Sequence, residues 1–521
     1  MPIRMEEDPK NGGRENFPEH DPRDPGRRGP NKGLLLLLAA FLFRKNPKLL
    51  FLLLAVGAVW YFFLGGAAMF SSQGGGETAD NAGFTFGAEF DEAKYDATEV
   101  FEPLAYGNWN QLPAQVSLER YAPRRLNQGR QGSCVGWSSA YAAGTILQAR
   151  ANNADPNQIA FSPSFLYNQI ALRGCQGAYI GEAMEAMRQN GGLTMSQFPY
   201  EERSCSARPS SSEIREAQNY RIKGYQRLTL GGNNYKPDIQ AIKQNLAQGA
   251  PVVIGMQVGG SFMRSMEGRK IWQPTRNDYN MVGYSGHAMC AIGYDDNLGG
   301  GAFQIMNSWG ERWGESGISW VSYKDFDYFV KEAYGLYPMG QADPAKANEL
   351  AAKFGLVDNE SQSLIYMVQK GPNVFRTRSP LNVGQKFKVA ITNSSECYTY
   401  VFGQETDGSS YVLFPYTAKH SAYCGITGTR LFPKDYSMVP DDKGSKDVIA
   451  VVVSKEKLPY NDLNTLINSS SASTFAGKFN EVLGEFTLSN LEFEAGESID
   501  FSGRIRDNKV AVTAILEIDK R

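Results

Sequence analysis

Histidine is nearly missing from this chain. Three occur in 521 residues, His20, His287 and His420, so any imidazole chemistry falls to one of three named side chains. Cysteine is also scarce, with six residues and no CxxC pair, which excludes both a disulfide-dense mini-scaffold and a cysteine-rich metal protein. Nothing in the pattern implies a metal or another cofactor. Neither sign of charge is in excess. The 53 Lys and Arg face 55 Asp and Glu, a formal charge of -2, which leaves no basic stripe to displace counterions from a phosphate backbone and so no nucleic acid partner. Internal repeats are absent too. What is plentiful is apolar residue, 42% of the chain, in a length that at roughly 150 residues per domain suggests about three structural units.

Residues 1–48 begin with a tail. Its first 32 residues hold six prolines, seven basic and seven acidic side chains and almost nothing apolar, a composition that cannot offset the entropy of ordering. A short apolar run, residues 34–43, is too short to cross a bilayer and reads as lying in the interface. Residues 49–70 (LLFLLLAVGAVWYFFLGGAAMF) then carry no charge; as a helix they extend about 33 Å at roughly 1.5 Å per residue, which matches a bilayer core. Lys32, Arg44, Lys45 and Lys48 precede this stretch, and Glu77, Asp80 and Glu89 follow it. The charge bias predicts a single uncleaved transmembrane helix with a cytoplasmic N-terminus and everything after it exported, periplasmic or extracellular. Residues 71–110 read as an acidic, aromatic linker, and the interleaved aromatics of residues 83–103 suggest a segment that occludes the cleft of the domain behind it. A mixed domain spans 111–337, a helical joint 338–355 (with DPAKANELAAKF at 343–354 as the helix), and a β-rich domain 356–521.

Three segments of the mixed domain carry chemistry. In residues 127–141 (NQGRQGSCVGWSSAY) a Gly- and Gln-rich loop delivers Cys134 to the start of a helical run that extends to about Arg150. Unpaired N–H groups and the helix dipole stabilise a thiolate there, the nucleophilic form of cysteine. Residues 284–294 (YSGHAMCAIGY) read as a buried strand bearing His287, and residues 304–317 (QIMNSWGERWGESG) as another that ends in Asn307, Ser308 and Trp309. His20 lies in the tail and His420 in the β-rich domain, which leaves His287 as the imidazole base within the Cys134 segment.

Over roughly residues 112–336 these motifs resemble the papain-like cysteine peptidases: a Gln six positions before the nucleophile, a G-S-C-x-W-like stretch, a His on one strand and N-S-W-G on the next, in that order. Fainter echoes lie at 162–167, 198–200 and 251–256. The resemblance implies an α+β, two-lobed fold, one lobe helical with the cysteine and the other a β-barrel-like sheet with the histidine, holding a polypeptide substrate in the cleft between them. It further implies that Cys134 is the nucleophile and His287 the general base and acid. Asn307 would orient the ring, Gln128 and the Cys134 N–H would form the oxyanion hole, and Trp309 would cover the His287–Asn307 bond. The chain departs from the family in Val135 and Gly136, where an aromatic residue is usual after the nucleophile, and in Gly286, where Asp or Asn is common. His287 follows Cys134 by 153 residues, at or just beyond the roughly 130–150 expected, so residues 259–281 are a candidate insertion. The family's inhibitory propeptide has no room between 71 and 110.

A family disulfide corresponds to Cys175–Cys205. With Cys290 read as a buried free thiol, Cys397 and Cys424 remain and would close a second loop, unless all four stay reduced. The segments FKVAI, YTYVFGQ, SYVLFPY, DVIAVVV and VAVTAILEI predict a β-sandwich or barrel for the last domain. Its stretch CYTYVFGQETDGSSYVLFPY is similar to a small β domain often fused to bacterial envelope enzymes; binding an envelope protein and packing on the peptidase are both open to it. The function expected is a membrane-anchored cysteine endopeptidase. Acyl transfer through the same thioester, or an inactive peptide-binding scaffold, are the alternatives.

Overall fold

The computed structural model describes residues 3–8, 85–231, 233–337, 348–488 and 491–521. The interfacial run 34–43 and the apolar stretch 49–70 lie outside the described residues. Among the described residues no helix is long and apolar enough to cross a membrane.

The peptidase-like part has the two expected lobes. In the helical lobe the central helix begins with Cys134–Gly136, runs as a π-helix through Trp137–Gly144 and closes as an α-helix over Thr145–Asn152. Every residue from Cys134 to Thr145 is buried, because the helices Pro163–Ile170 and Ile180–Gln189 and the sheet surround it. Pro163–Ile170 starts where Ser162 accepts from the Phe165 N–H and Pro163 supplies a φ suited to the first turn. This packing explains one family departure: a Cβ on Gly136 would lie 2.7 Å from the Pro163 carbonyl oxygen, so the crossing tolerates only glycine.

The second lobe is an antiparallel sheet in the order Ile318–Ser322, Ala302–Met306, Ser285–Asp295, Val252–Val258, Val330–Leu336 and Tyr225–Arg227, with Gln115–Ser117 paired beside Ser285–Asp295. Ser285–Asp295 is central, buried from His287 to Tyr294, and it reads as an unbroken apolar run for that reason. His287 therefore sits near one end of a rigid strand that faces the cysteine helix.

The C-terminal domain is a sandwich of two sheets. One contains Tyr436–Pro440, Phe387–Asn393, Glu349–Asp358 and Ile499–Arg504; the other contains Val374–Thr377, Ala511–Asp519, Lys446–Ser454, Cys397–Gln404 and Ser410–Phe414. Phe387, Val389, Val401, Val451 and Leu516 share the core between them. Two helices, Tyr460–Ser469 and Phe475–Leu483, cover the outer face of the second sheet through Leu463, Ile467 and Phe479 against Tyr400, Phe402 and Val452. The β-rich expectation did not include them.

Three expectations need correction. The helical joint fails over its second half: Glu349–Asp358 is a strand, paired on one side with Phe387–Asn393 and on the other with Ile499–Arg504. Its Ala, Leu and Lys favour a helix only weakly, and two flanking ladders outweigh that preference. The Cys397–Cys424 disulfide does not form, although the two residues face each other across a ladder. The two free thiols stay within hydrogen-bond reach of one another, and the Thr399 hydroxyl lies 4.0 Å from Cys397 Sγ and 3.6 Å from Cys424 Sγ. Cys175–Cys205 is bonded, and Cys290 is a buried free thiol. Finally, the tail is not wholly unstructured. Ile3–Glu7 forms an edge strand on Tyr436–Pro440, with Ile3 in the sandwich core and the Asp8 carboxylate 2.6 Å from Lys388 Nζ and 2.5 Å from Ser437 Oγ. Alternation of Ile3 and Met5 with charged neighbours suits such an edge.

Candidate active site

Cys134 opens the central helix, and the neighbouring lobe reaches it through the Ala288 N–H, 3.4 Å from Cys134 Sγ. One residue earlier, His287 Nε2 lies 2.7 Å from Asn307 Oδ1, and the same oxygen accepts the Ser308 N–H at 2.7 Å. The second bond fixes the amide so that its oxygen faces the ring. Trp309 stacks on the imidazole with ring centroids 4.3 Å apart and planes at 23°. His287 Nδ1 is buried without a hydrogen-bond partner among the described residues, which leaves that nitrogen available for a thiol proton.

Gln128 arrives from the loop before the helix. Ser308 Oγ donates to its Oε1 at 2.6 Å, its backbone N–H donates to Ser308 O at 2.9 Å, and the Tyr200 hydroxyl donates to its carbonyl at 2.7 Å. With the oxygen so engaged, Nε2 must point into the cleft, where it donates to Thr85 O at 3.2 Å and to Gln131 O at 3.0 Å. Ser308 and Tyr200 are therefore positioning residues. Sequence reasoning quoted both within its motifs but assigned neither a role, since a serine hydroxyl shows no partner until the fold brings one to it.

The five residues singled out from the sequence, Cys134, His287, Asn307, Gln128 and Trp309, are thus brought into one cleft. Its electrostatics are set by burial. Cys134 and His287 are both 0% exposed. Burial pushes the thiol up to about 12, against the backbone N–H groups of Ala288, Val135 and Cys134 that favour the thiolate. Burial likewise pulls His287 down to about 4, with the Asn307 hydrogen bond opposing. Burial thus opposes charge on both groups in this conformation. Among the described residues no group of three or more His, Cys, Asp or Glu side chains could hold a metal ion.

A cysteine at a helix start, a histidine held by an asparagine and a fixed amide side chain are the kinds of group a cysteine hydrolase uses. Comparison with known proteins makes this specific: residues 119–333 match the papain family cysteine protease model, and the chain carries a papain-family cysteine peptidase domain. Residues 380–457 match a domain of unknown function (DUF4384). The chain is similar to a cysteine protease of Blomia tropicalis, 27% identical over 45% of this chain and 68% of that protein. It is also similar to cathepsin K of Mus musculus, 28% identical over 37% of this chain and 54% of that protein. The chain thus spans between 54% and 68% of the length of these two relatives. Among solved structures, xylellain, a cysteine protease from Xylella fastidiosa, is 24% identical with a TM-score of 0.40, over 49% of this chain and 96% of that one.

Proposed function

We propose that the protein is a cysteine endopeptidase that hydrolyses peptide bonds through Cys134, His287 and Asn307. The observation that carries this reading is the convergence of these three residues and Gln128 in one cleft between a helix and a sheet. In the mechanism, His287 Nδ1 takes the Cys134 proton and the sulfur attacks the carbonyl carbon. The oxyanion is held by Gln128 Nε2 and the Cys134 N–H. His287 passes the proton to the departing amine, leaving a thioester, which a water deprotonated by His287 then hydrolyses. Asn307 keeps Nε2 engaged so that Nδ1 is the nitrogen left for the proton, and Trp309 keeps water off that bond. The test is an epoxide probe on the intact chain, with mass mapping of the adduct and a peptide hydrolysis assay. Loss of hydrolysis in proportion to modification of Cys134 is expected; hydrolysis that survives complete modification would sink the reading.

Anchoring through residues 49–70, with the catalytic part exported, belongs to the same proposal and rests on the uncharged stretch and its flanking charges. The Ile3–Glu7 ladder makes the opposite demand, since it needs residues 3–8 on the same side as the C-terminal domain. A cysteine introduced as Arg14→Cys reports the side through a membrane-impermeant thiol reagent on intact cells. Protection would support the single span and mean that the Ile3–Glu7 ladder does not form in the anchored chain; labelling would keep the ladder, place both ends on one face and overturn the cytoplasmic N-terminus.

A further inference from the structure

Cys134 and His287 are sealed by the chain itself. Residues 85–90 run through the cleft and take up its hydrogen-bonding positions one by one. The Thr85 carbonyl accepts from Gln128 Nε2 at 3.2 Å and from Trp309 Nε1 at 3.1 Å; the amide donor proposed for the oxyanion is therefore already engaged. Phe86 stands edge-on to His287 and Trp309, with centroids 6.3 and 6.2 Å away. Gly87 donates to Gly286 O at 3.3 Å and accepts from the Ala178 N–H at 2.9 Å, and Ala88–Glu89 continues as a short parallel ladder on Ala178–Tyr179.

The fit is made by glycines on both sides. A Cβ on Gly87 would lie 2.1 Å from the Gly132 carbonyl oxygen, and one on Gly286 would lie 2.0 Å from the Ala88 carbonyl oxygen. Both neighbours are backbone and cannot give way. Gly286, a departure from the family pattern, is thus the residue that admits the segment. Phe90 fills an apolar recess in which a Cβ on Gly255 would meet its ring at 2.5 Å.

Beyond Phe90 the segment is sewn into both domains. At Val100 it bridges the peptidase sheet and the C-terminal domain. On one side Arg227 donates to Glu99 O and Phe101 donates to Arg227 O, each at 3.0 Å. On the other, Val100 donates to Lys419 O at 2.7 Å and Ser421 donates to Val100 O at 3.0 Å. Lys419 Nζ also pairs with Asp96 at 2.7 Å. Building on the peptidase reading, we propose that residues 85–90 are an intramolecular inhibitor of the cleft and that the C-terminal domain is the element that holds them there. The domain matched over residues 380–457 thereby acquires a role, because whatever loosens it at Val100 opens the site.

Iodoacetamide labelling of the full chain tests both halves, with Cys290, equally buried and outside the cleft chemistry, as the internal monitor of unfolding. Gly87→Ala and Phe90→Ala displace the segment; Val100→Pro and Lys419→Ala weaken its anchor. The expected result is alkylation of Cys134 and peptide turnover about tenfold or more faster in all four, with Cys290 still protected. Wild-type rates in Gly87→Ala and Phe90→Ala would overturn the inhibitory segment. Acceleration in those two but not in Val100→Pro or Lys419→Ala would overturn the role of the C-terminal domain. Faster alkylation without any peptide hydrolysis would leave the segment standing and bring down the peptidase reading instead. Equal gains at Cys134 and Cys290 in every variant would mean general unfolding and would count against a cleft device.

Discussion

Replacing Cys134 or His287 with alanine is expected to lower kcat for peptide hydrolysis by ~10⁴-fold or more, about 5.5 kcal/mol of transition-state stabilisation. Residues that act as one unit lose almost everything at the first removal, so the double variant should be little worse than either single one. The geometry gives the reason. Among the described residues His287 Nδ1 has no hydrogen-bond partner, and no other imidazole lies in the peptidase-like part, His420 being in the C-terminal domain beside Tyr416 and Thr417. Asn307→Ala should fall between these and wild type, because the Trp309 stack still restrains the ring after the 2.7 Å bond is gone. Steady-state kinetics on one peptide checks the order. A His287→Ala chain that retains more activity than Asn307→Ala would contradict the assigned roles.

The second large effect concerns stability. Glu332 lies on the strand beside Gly255 and is 6% exposed. Burial raises its carboxyl from 4.5 to about 8, opposed by a hydrogen bond from the Tyr334 hydroxyl and reinforced by the Asp91 charge. Below pH 4.5 the folded and unfolded chains are both protonated there, and the site costs nothing. Between 4.5 and about 8 the unfolded chain releases a proton that the folded chain keeps, so stability falls as pH rises and levels off above that range. At about 1.4 kcal/mol per pH unit the loss approaches 4–5 kcal/mol. Glu332→Gln keeps the shape and the acceptor but cannot ionise. Its stability relative to wild type should therefore increase steadily from pH 4.5 to 8 in urea titrations; a constant difference would mean that Glu332 ionises normally in the fold.

Much of the site was legible because its groups sit in compact local motifs. The loop before Cys134 and the NSWG turn after a strand identify themselves within a few residues, and the chain order of Cys134, His287 and Asn307 agrees with the fold. The strands of the C-terminal sandwich were legible through apolar runs of strand length. The helices Tyr460–Ser469 and Phe475–Leu483 were not, because the sheet-like segments around them dominated the pattern. The strand Glu349–Asp358 failed for another reason, since helix propensity is a preference of a few tenths of a kcal/mol per residue and two flanking ladders exceed it. Cys397 and Cys424 were rightly paired in space, and they stand there as free thiols that interact with one another rather than as a disulfide.

The amino-acid sequence by itself determined which groups could react: one histidine in the right segment, one cysteine at a helix start, one amide ahead of it. These are properties of residue type and local spacing. The tertiary structure alone decided the state of those groups. Burial and charge separation depend on everything packed around a side chain, and here the covering residues 85–90 come from outside the catalytic motifs and reach them through backbone hydrogen bonds, which residue identity does not announce. Burial pushes the Cys134 thiol up and the His287 imidazole down, since desolvation disfavours the charged form of both.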